Sequence, residues 1–159
     1  MFVVEQHSDD INDGPGVVLS ALIPDFHYFN NRGGRTLPYL YQDGTPNLVP
    51  GLATALSAAL SQDITASDML AYVAGVVAHP GYTRTFADEL TTPGIRVPIT
   101  CDPDLWTEAV AVGEQVIWLH TYGEIFSGPD RRHGNVRFPR GSTLSAERML
   151  SSPGSTIGK

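Results

Sequence analysis

Hydrophobic positions change period along this chain, from strand-like in the first third to helical from Pro46 onward. "FVVEQ" at the start and "GVVLSALI" from Gly16 are short β-branched runs separated by "HSDDINDGPG", whose Asp, Asn, Gly and Pro residues form turns, so two strands are predicted. "NNRGGRT" then breaks the chain before "LPYLYQ", an aromatic run with a proline near its start, as an edge strand tolerates. From Pro46, Leu48, Leu52, Ala55, Leu56, Ala59 and Leu60 recur at helical spacing, which predicts an amphipathic helix with Pro50 in its first turn, ending near Gln62. "DITASDMLAYVAGVVAH" offers Thr65 or Ser67 as N-cap, Asp68 in the first turn, and Met69, Leu70, Val73, Val76 and Val77 on one face.

Pro80 and Gly81 stop that helix, and "YTRTFADEL" restarts one with Tyr82, Phe86 and Leu90 on one side, giving a helical hairpin. "TTPGIRVPIT" is extended, because its two prolines cannot sit inside a helix. "DPDLWTEAVAVGEQVIWLHTYGEIF" reads as the longest helix. It carries a stripe of Leu105, Ala109, Val112, Val116 and Leu119 beside a second of Trp106, Val110, Gly113, Ile117 and His120, both expected to be buried. Beyond Ser127 the chain is rich in Gly, Pro, Ser and Arg, with only "NVRFP" resembling a strand, and order is expected to fall off. The pattern predicts an α+β fold in which a β-rich N-terminal third packs on about four helices. One domain is expected over 1–126, followed by a basic, loop-rich tail over 127–159.

A length of 159 residues fits one ordinary domain, and 42% hydrophobic with 17% charged residues describes a globular chain. No apolar run is long enough for a membrane span, and "MFVVEQHSDD" lacks the layout of a signal peptide, so a cytoplasmic protein is expected. The single cysteine, Cys101, excludes an internal disulfide and a multi-cysteine zinc site. A net charge of −7 argues against a protein that grips nucleic acid over its whole surface. The distribution changes that picture. Between 131 and 148 lie Arg131, Arg132, Arg137, Arg140 and Arg148 against Glu147, a local charge of about +4 against about −11 for the remainder. Such asymmetry suggests that one face or tail meets an anionic partner.

Catalytic motifs are absent: no glycine-rich phosphate loop, HExxH, nucleophile elbow or paired Cys/His spacing occurs. Asp25 and His27 in "PDFH" would share a face of a strand, but no nucleophile or third ligand is marked nearby, so no metal site and no cofactor are expected. His120 on an apolar stripe reads as a hydrogen-bonded core histidine. His79 sits at a helix C-terminus, where a side chain can bond the last carbonyls. "HPGYTRTF" thus reads as a helix stop, a turn and a restart, with Tyr82 and Phe86 inward and Arg84 outward.

The ordered series "IPDFHYF", "LPYLY", an amphipathic helix, "SDMLAYVAGVVAHPGYTRTFADEL", "IRVPIT" and "LHTYGEIF" resembles the C-terminal region of large bacterial restriction–modification polypeptides. These are the single-polypeptide type I (type ISP) enzymes and related adenine-specific methyltransferases fused to predicted helicases. The resemblance covers roughly 20 to 126 and rests on Pro24, Asp25, His27, Pro38, Tyr72, His79, Pro80, Tyr82, Phe86, Pro98, Leu119 and His120 in order. "HPGYTR" places the arginine one position later than the family's usual Tyr-Arg, and "GIRVP" stands where the family has Pro-Arg-Ile-Pro. The resemblance implies a non-catalytic DNA-target-recognition region, with nuclease, helicase and methyltransferase modules upstream in a parent polypeptide. This chain ends before a family-sized recognition domain would and carries neither the methyltransferase's cofactor motif nor its Asn-Pro-Pro-Tyr loop, so it is expected to be a fragment that does not methylate. The expected DNA contacts are Arg32 and Arg35 in "NNRGGR" and Arg131, Arg132, Arg137 and Arg140 in "RRHGNVRFPR", since the guanidinium fork suits phosphate oxygens and guanine edges. The domain alone is expected to bind DNA weakly. The alternative is a module that braces the methyltransferase or helicase without reading DNA, which the overall negative charge favours.

Overall fold

β1 (Phe2–Gln6) is the central strand of a three-stranded antiparallel sheet in the computed structural model, with β2 (Val17–Ser20) on one edge and β3 (Gly34–Pro38) on the other. The structure describes residues 1–6, 16–25, 27–29, 34–92 and 94–121. Strand alternation places Val3 and Glu5 on one face with their register partners Leu19 and Leu37, and Val17 and Arg35. That face meets the helices.

The third strand begins three residues before the aromatic run expected to form it. β1 supplies partners only back to Met1, whose carbonyl accepts from Tyr39 N at 2.9 Å, so Leu40 to Gln42 have nothing left to pair with. The chain instead turns back, through a bridge between Leu40 and Pro46. β3 is an edge strand, as its proline requires.

Four helices follow. In α1 (Leu52–Leu60) the N-cap is Gly51 at φ 82°, a left-handed conformation that glycine adopts without penalty, so Pro50 lies outside the helix it was expected to open. α2 (Ala66–Ala78) starts at a capping box in which Thr65 accepts from Asp68 N while Asp68 accepts from Thr65 N. α3 (Pro80–Thr85) begins immediately after it and leads through Phe86 into a single 3₁₀ turn, Glu89–Thr91. α4 (Pro103–His120) is opened by Asp102, whose carboxylate accepts from Asp104 N and Leu105 N, with Pro103 in the first turn.

α2 and α4 form the spine of the domain, and small residues let them touch backbone to backbone. A Cβ on Gly113 would overlap the Ala71 carbonyl, and one on Gly75 would overlap the Ala109 carbonyl. Three buried clusters surround this crossing. Leu19 of β2 packs on Leu70, Ala71, Ala74 and Ile117. Tyr72 and Trp106, stacked at 4.2 Å between centroids, pack with Leu60, Ile64 and Met69. Val17, Val77, Tyr82 and Leu90 close the third.

Only one of the two stripes on α4 is buried. Trp106, Gly113 and Ile117 lie inside, whereas Leu105, Val112 and Leu119 are 53%, 51% and 49% exposed. A helix with one close neighbour covers the face turned to it, and the adjacent stripe needs a second neighbour that the described residues do not supply.

His120 is hydrogen-bonded, as its stripe predicts, but half-buried instead of in the core: its Nδ1 accepts from Leu19 N at 3.2 Å, covering the open edge of β2. Burial holds its imidazole below the usual value. The unfolded chain therefore takes up this proton at higher pH than the folded one. Stability from this group is complete above about pH 6.5 and is lost as pH falls through that value toward the lower folded one. Thermal melts between pH 7.5 and 5 should show this loss, and His120→Gln, which keeps an acceptor but does not titrate, should flatten it. An equal slope for the two proteins would refute the assignment.

Candidate nucleic-acid interface

Glu5 organises one end of the sheet. It is 5% exposed, and it stands directly opposite Arg35 in the β1–β3 register. One carboxylate oxygen, Oε2, accepts from Arg35 Nε at 3.2 Å and from Arg35 Nη2 at 2.6 Å. The other, Oε1, accepts from Ile95 N at 3.0 Å. A buried carboxylate is stable only when charged and polar partners surround it, and both are present here. The pair is asymmetric: the Arg35 side chain is 48% exposed and that of Glu5 6%. Glu5 thus grips the guanidinium along its Nε edge, leaving the Nη1/Nη2 edge, with its parallel N–H pair, turned away from the carboxylate.

The segment 95–100 that Glu5 touches has no regular secondary structure, yet it is fixed by two buried tyrosines. Tyr82 Oη donates to the Arg96 carbonyl at 2.7 Å. Tyr72 Oη donates to the Pro98 carbonyl at 2.9 Å and accepts from Thr100 N at 3.0 Å. Burial raises the Tyr82 phenol above its usual pKa, so it remains the donor this contact needs. Three anchors therefore fix the backbone around Arg96, an exposed residue that follows the Ile95 amide bound to Glu5. The sequence reading did not single out Arg96. Its signal was its place between Gly94 and Pro98 in a chain that cannot be helical, but nothing local joins it to Arg35.

Of the six arginines expected to contact DNA, Arg35 is placed by the structure. Arg32, Arg131, Arg132, Arg137 and Arg140 lie outside the described residues, as do the 126/127 boundary and the basic tail. The histidines take structural positions. Asp25 and His27 do not share a strand face: they form a turn in which Asp25 Oδ1 accepts from His27 N at 2.7 Å and the Asp25 carbonyl accepts from Tyr28 N. The strand ends at Ser20, so the geometry expected of a ligand pair does not arise. His79 ends α2 but caps the next helix instead of bonding the last carbonyls: its Nδ1 accepts from Gly81 N at 3.0 Å. Pro80 leaves the first turn of α3 one donor short, and His79 serves the next.

"HPGYTRTF" is thus a corner with Tyr82 buried and Arg84 exposed. The cleft it shares with Arg96, Glu89 and Val97 measures about 240 Å³, below the usual range for a small-molecule site. Cys101 is exposed. Among the described residues no group of three or more His, Cys, Asp or Glu side chains could hold a metal ion, and no helix is long and apolar enough to cross a membrane.

The same fold is present in a cryo-EM structure of a DrdV–DNA complex, with a TM-score of 0.61 and 20% sequence identity over 76% of this chain. That match spans 12% of the DrdV chain. No curated protein matches. A sequence model described as the Type ISP C-terminal specificity domain matches residues 1–151, nearly the whole length, and the chain belongs to that family.

Proposed function

We propose that this specificity domain, the target-recognition region of a restriction enzyme, reads DNA through the Glu5 end of its sheet, with Arg35 as a base-reading residue and Arg96 beside it. The methyltransferase and helicase modules that carry the chemistry belong to other parts of the parent polypeptide. The observation that supports this is the geometry of Arg35. Its Nε edge is held by a buried carboxylate while the side chain remains 48% exposed, and the Nη1/Nη2 edge left over carries a parallel N–H pair that suits guanine O6 and N7. Holding the guanidinium in advance lowers the entropy lost when it meets a base. The solved neighbour with the same fold is a DrdV–DNA complex, which supports a DNA-reading role. Arg32, Arg131, Arg132, Arg137 and Arg140 are assigned to phosphates, which position the protein without reporting sequence.

The two classes of arginine separate by salt and by sequence. Alone, a chain of net charge −7 should bind duplex DNA at about 10⁻⁴ to 10⁻⁶ M, the range of non-specific contacts. Arg131, Arg132, Arg137 and Arg140 together should contribute about −3.6 to the slope of log affinity against log salt, and neutralising all four should remove that part. Arg35→Lys keeps a cation against Glu5 but loses the fork. In the full parent polypeptide it should cost about 1–3 kcal/mol at the cognate site and leave scrambled duplexes and the salt slope unchanged. A uniform loss across sequences would move Arg35 to the phosphate class, and retained specificity would remove it from the interface.

A further inference from the structure

The outer stripe of α4 carries a feature that DNA reading does not use. Leu105, Ala109, Val112, Val116 and Leu119 follow one another at spacings of four, three, four and three residues, the repeat by which one helix packs along another. Leu105, Val112 and Leu119, seven residues apart, are about half exposed, whereas Ala109 and Val116 between them already pack in part on the core. Beside them, across Val76 and Phe86 at the α2–α3 corner, runs an open groove of about 560 Å³ with Glu108 at its lip. An exposed row of this kind marks a contact surface. On the α4 side the charge is of one sign, Asp104, Glu108 and Glu114 with no lysine or arginine, whereas Arg84 stands beside Gly81 on the α3 side of the groove. A turn of 100° per residue puts Asp104 and Glu108 along the solvent-side flank of the stripe.

We propose that this stripe and groove seat one amphipathic helix of the parent polypeptide, with apolar side chains along the seam and lysine or arginine facing Asp104 and Glu108. The acidic flank selects a basic partner and opposes a second copy of the same face, which would set like charges against each other. The same fold forms 12% of the chain in its solved neighbour, so covalently attached partners are at hand at high effective concentration. Such a contact fixes the orientation of the specificity domain in the parent and is independent of whether Arg35 reads a base.

The test uses alkylation of Val112→Cys, introduced with Cys101→Ser, in the 159-residue chain and in the parent polypeptide. The new thiol should react at least tenfold more slowly in the parent than in the chain alone. Adding Asp104→Lys and Glu108→Lys should restore the fast rate in the parent by repelling the basic helix. Equal rates in chain and parent overturn the proposal. So does protection already present in the chain alone: if independent of concentration it assigns the stripe to the chain's own residues, and if it grows with concentration, to a second copy. Protection that survives the charge reversal overturns the basic character of the partner. Melting temperature reports whether each variant folds, and DNA affinity of the chain alone should be unchanged by Val112→Cys with Cys101→Ser, so failure here is distinct from failure of the DNA-reading assignment.

Discussion

Gly113→Ala is expected to destabilise the domain by about 3 kcal/mol or more, at the upper end of what overpacking costs. Helix propensity alone predicts the opposite sign, a gain of about 1 kcal/mol for alanine over glycine in a helix interior. Packing decides, because the new methyl group would occupy the space of the Ala71 carbonyl oxygen on α2. That obstacle is backbone, which cannot rotate aside as a flexible side chain can. Relief requires α2 and α4 to separate, and the separation opens the layer formed by Leu70, Ala71, Ala74 and Ile117. Against a typical total stability of about 5–15 kcal/mol, a loss of this size leaves a substantial unfolded fraction at ambient temperature only if the parent value is low. Urea unfolding measures it directly. A midpoint equal to or above that of the wild type would show that the helices do not make this contact.

Tyr82→Ala is expected to cost about 3–5 kcal/mol, the range for truncating a large buried aromatic side chain. Tyr82 is 6% exposed, packs against Val17, Val77 and Leu90, and lies 5.2 Å from the Phe86 ring. Its hydroxyl also donates to the Arg96 carbonyl. Tyr82→Phe isolates that second role: it retains the ring and should cost only about 1 kcal/mol of global stability, the net worth of one hydrogen bond. The local effect is distinct, since one of the three anchors on 95–100 is lost, and amide exchange there should rise while the helices stay protected. If Tyr82→Ala left the melting temperature unchanged, the corner at His79 to Phe86 would not be structural, and an active-site role for it would reopen.

Most elements were legible because they are local. The β-branched run at Phe2–Gln6, the Thr65 to Asp68 capping box, and the Asp102-Pro103 opening of α4 each state their structure within five residues. The errors fall where an element's extent depends on a distant partner. β3 starts at Gly34 because β1 offers partners for Gly34 to Pro38 and its end stops the ladder, which no pattern inside "LPYLYQ" records. The two stripes of α4 look equally apolar, and only the position of α2 decides that Trp106 and Ile117 are buried while Leu105 and Val112 are not.

The sequence by itself determined the class of the fold, the order of its strands and helices, the reading of "HPGYTRTF" as a corner, and the family. All of these rest on interactions between near neighbours or on motif order. The tertiary structure alone decided the geometry of the candidate site. Glu5 and Ile95 are separated by 90 positions, and Leu19 and His120 by 101. Nothing in a short window distinguishes Glu5 from an exposed strand glutamate. It becomes a buried anchor because β3 lays Arg35 across from it and the tyrosines of α2 and α3 fix the 95–100 segment against its other oxygen. Gly75 and Gly113 follow the same logic, since a glycine in a helix looks like a weakness until another backbone passes within contact of it.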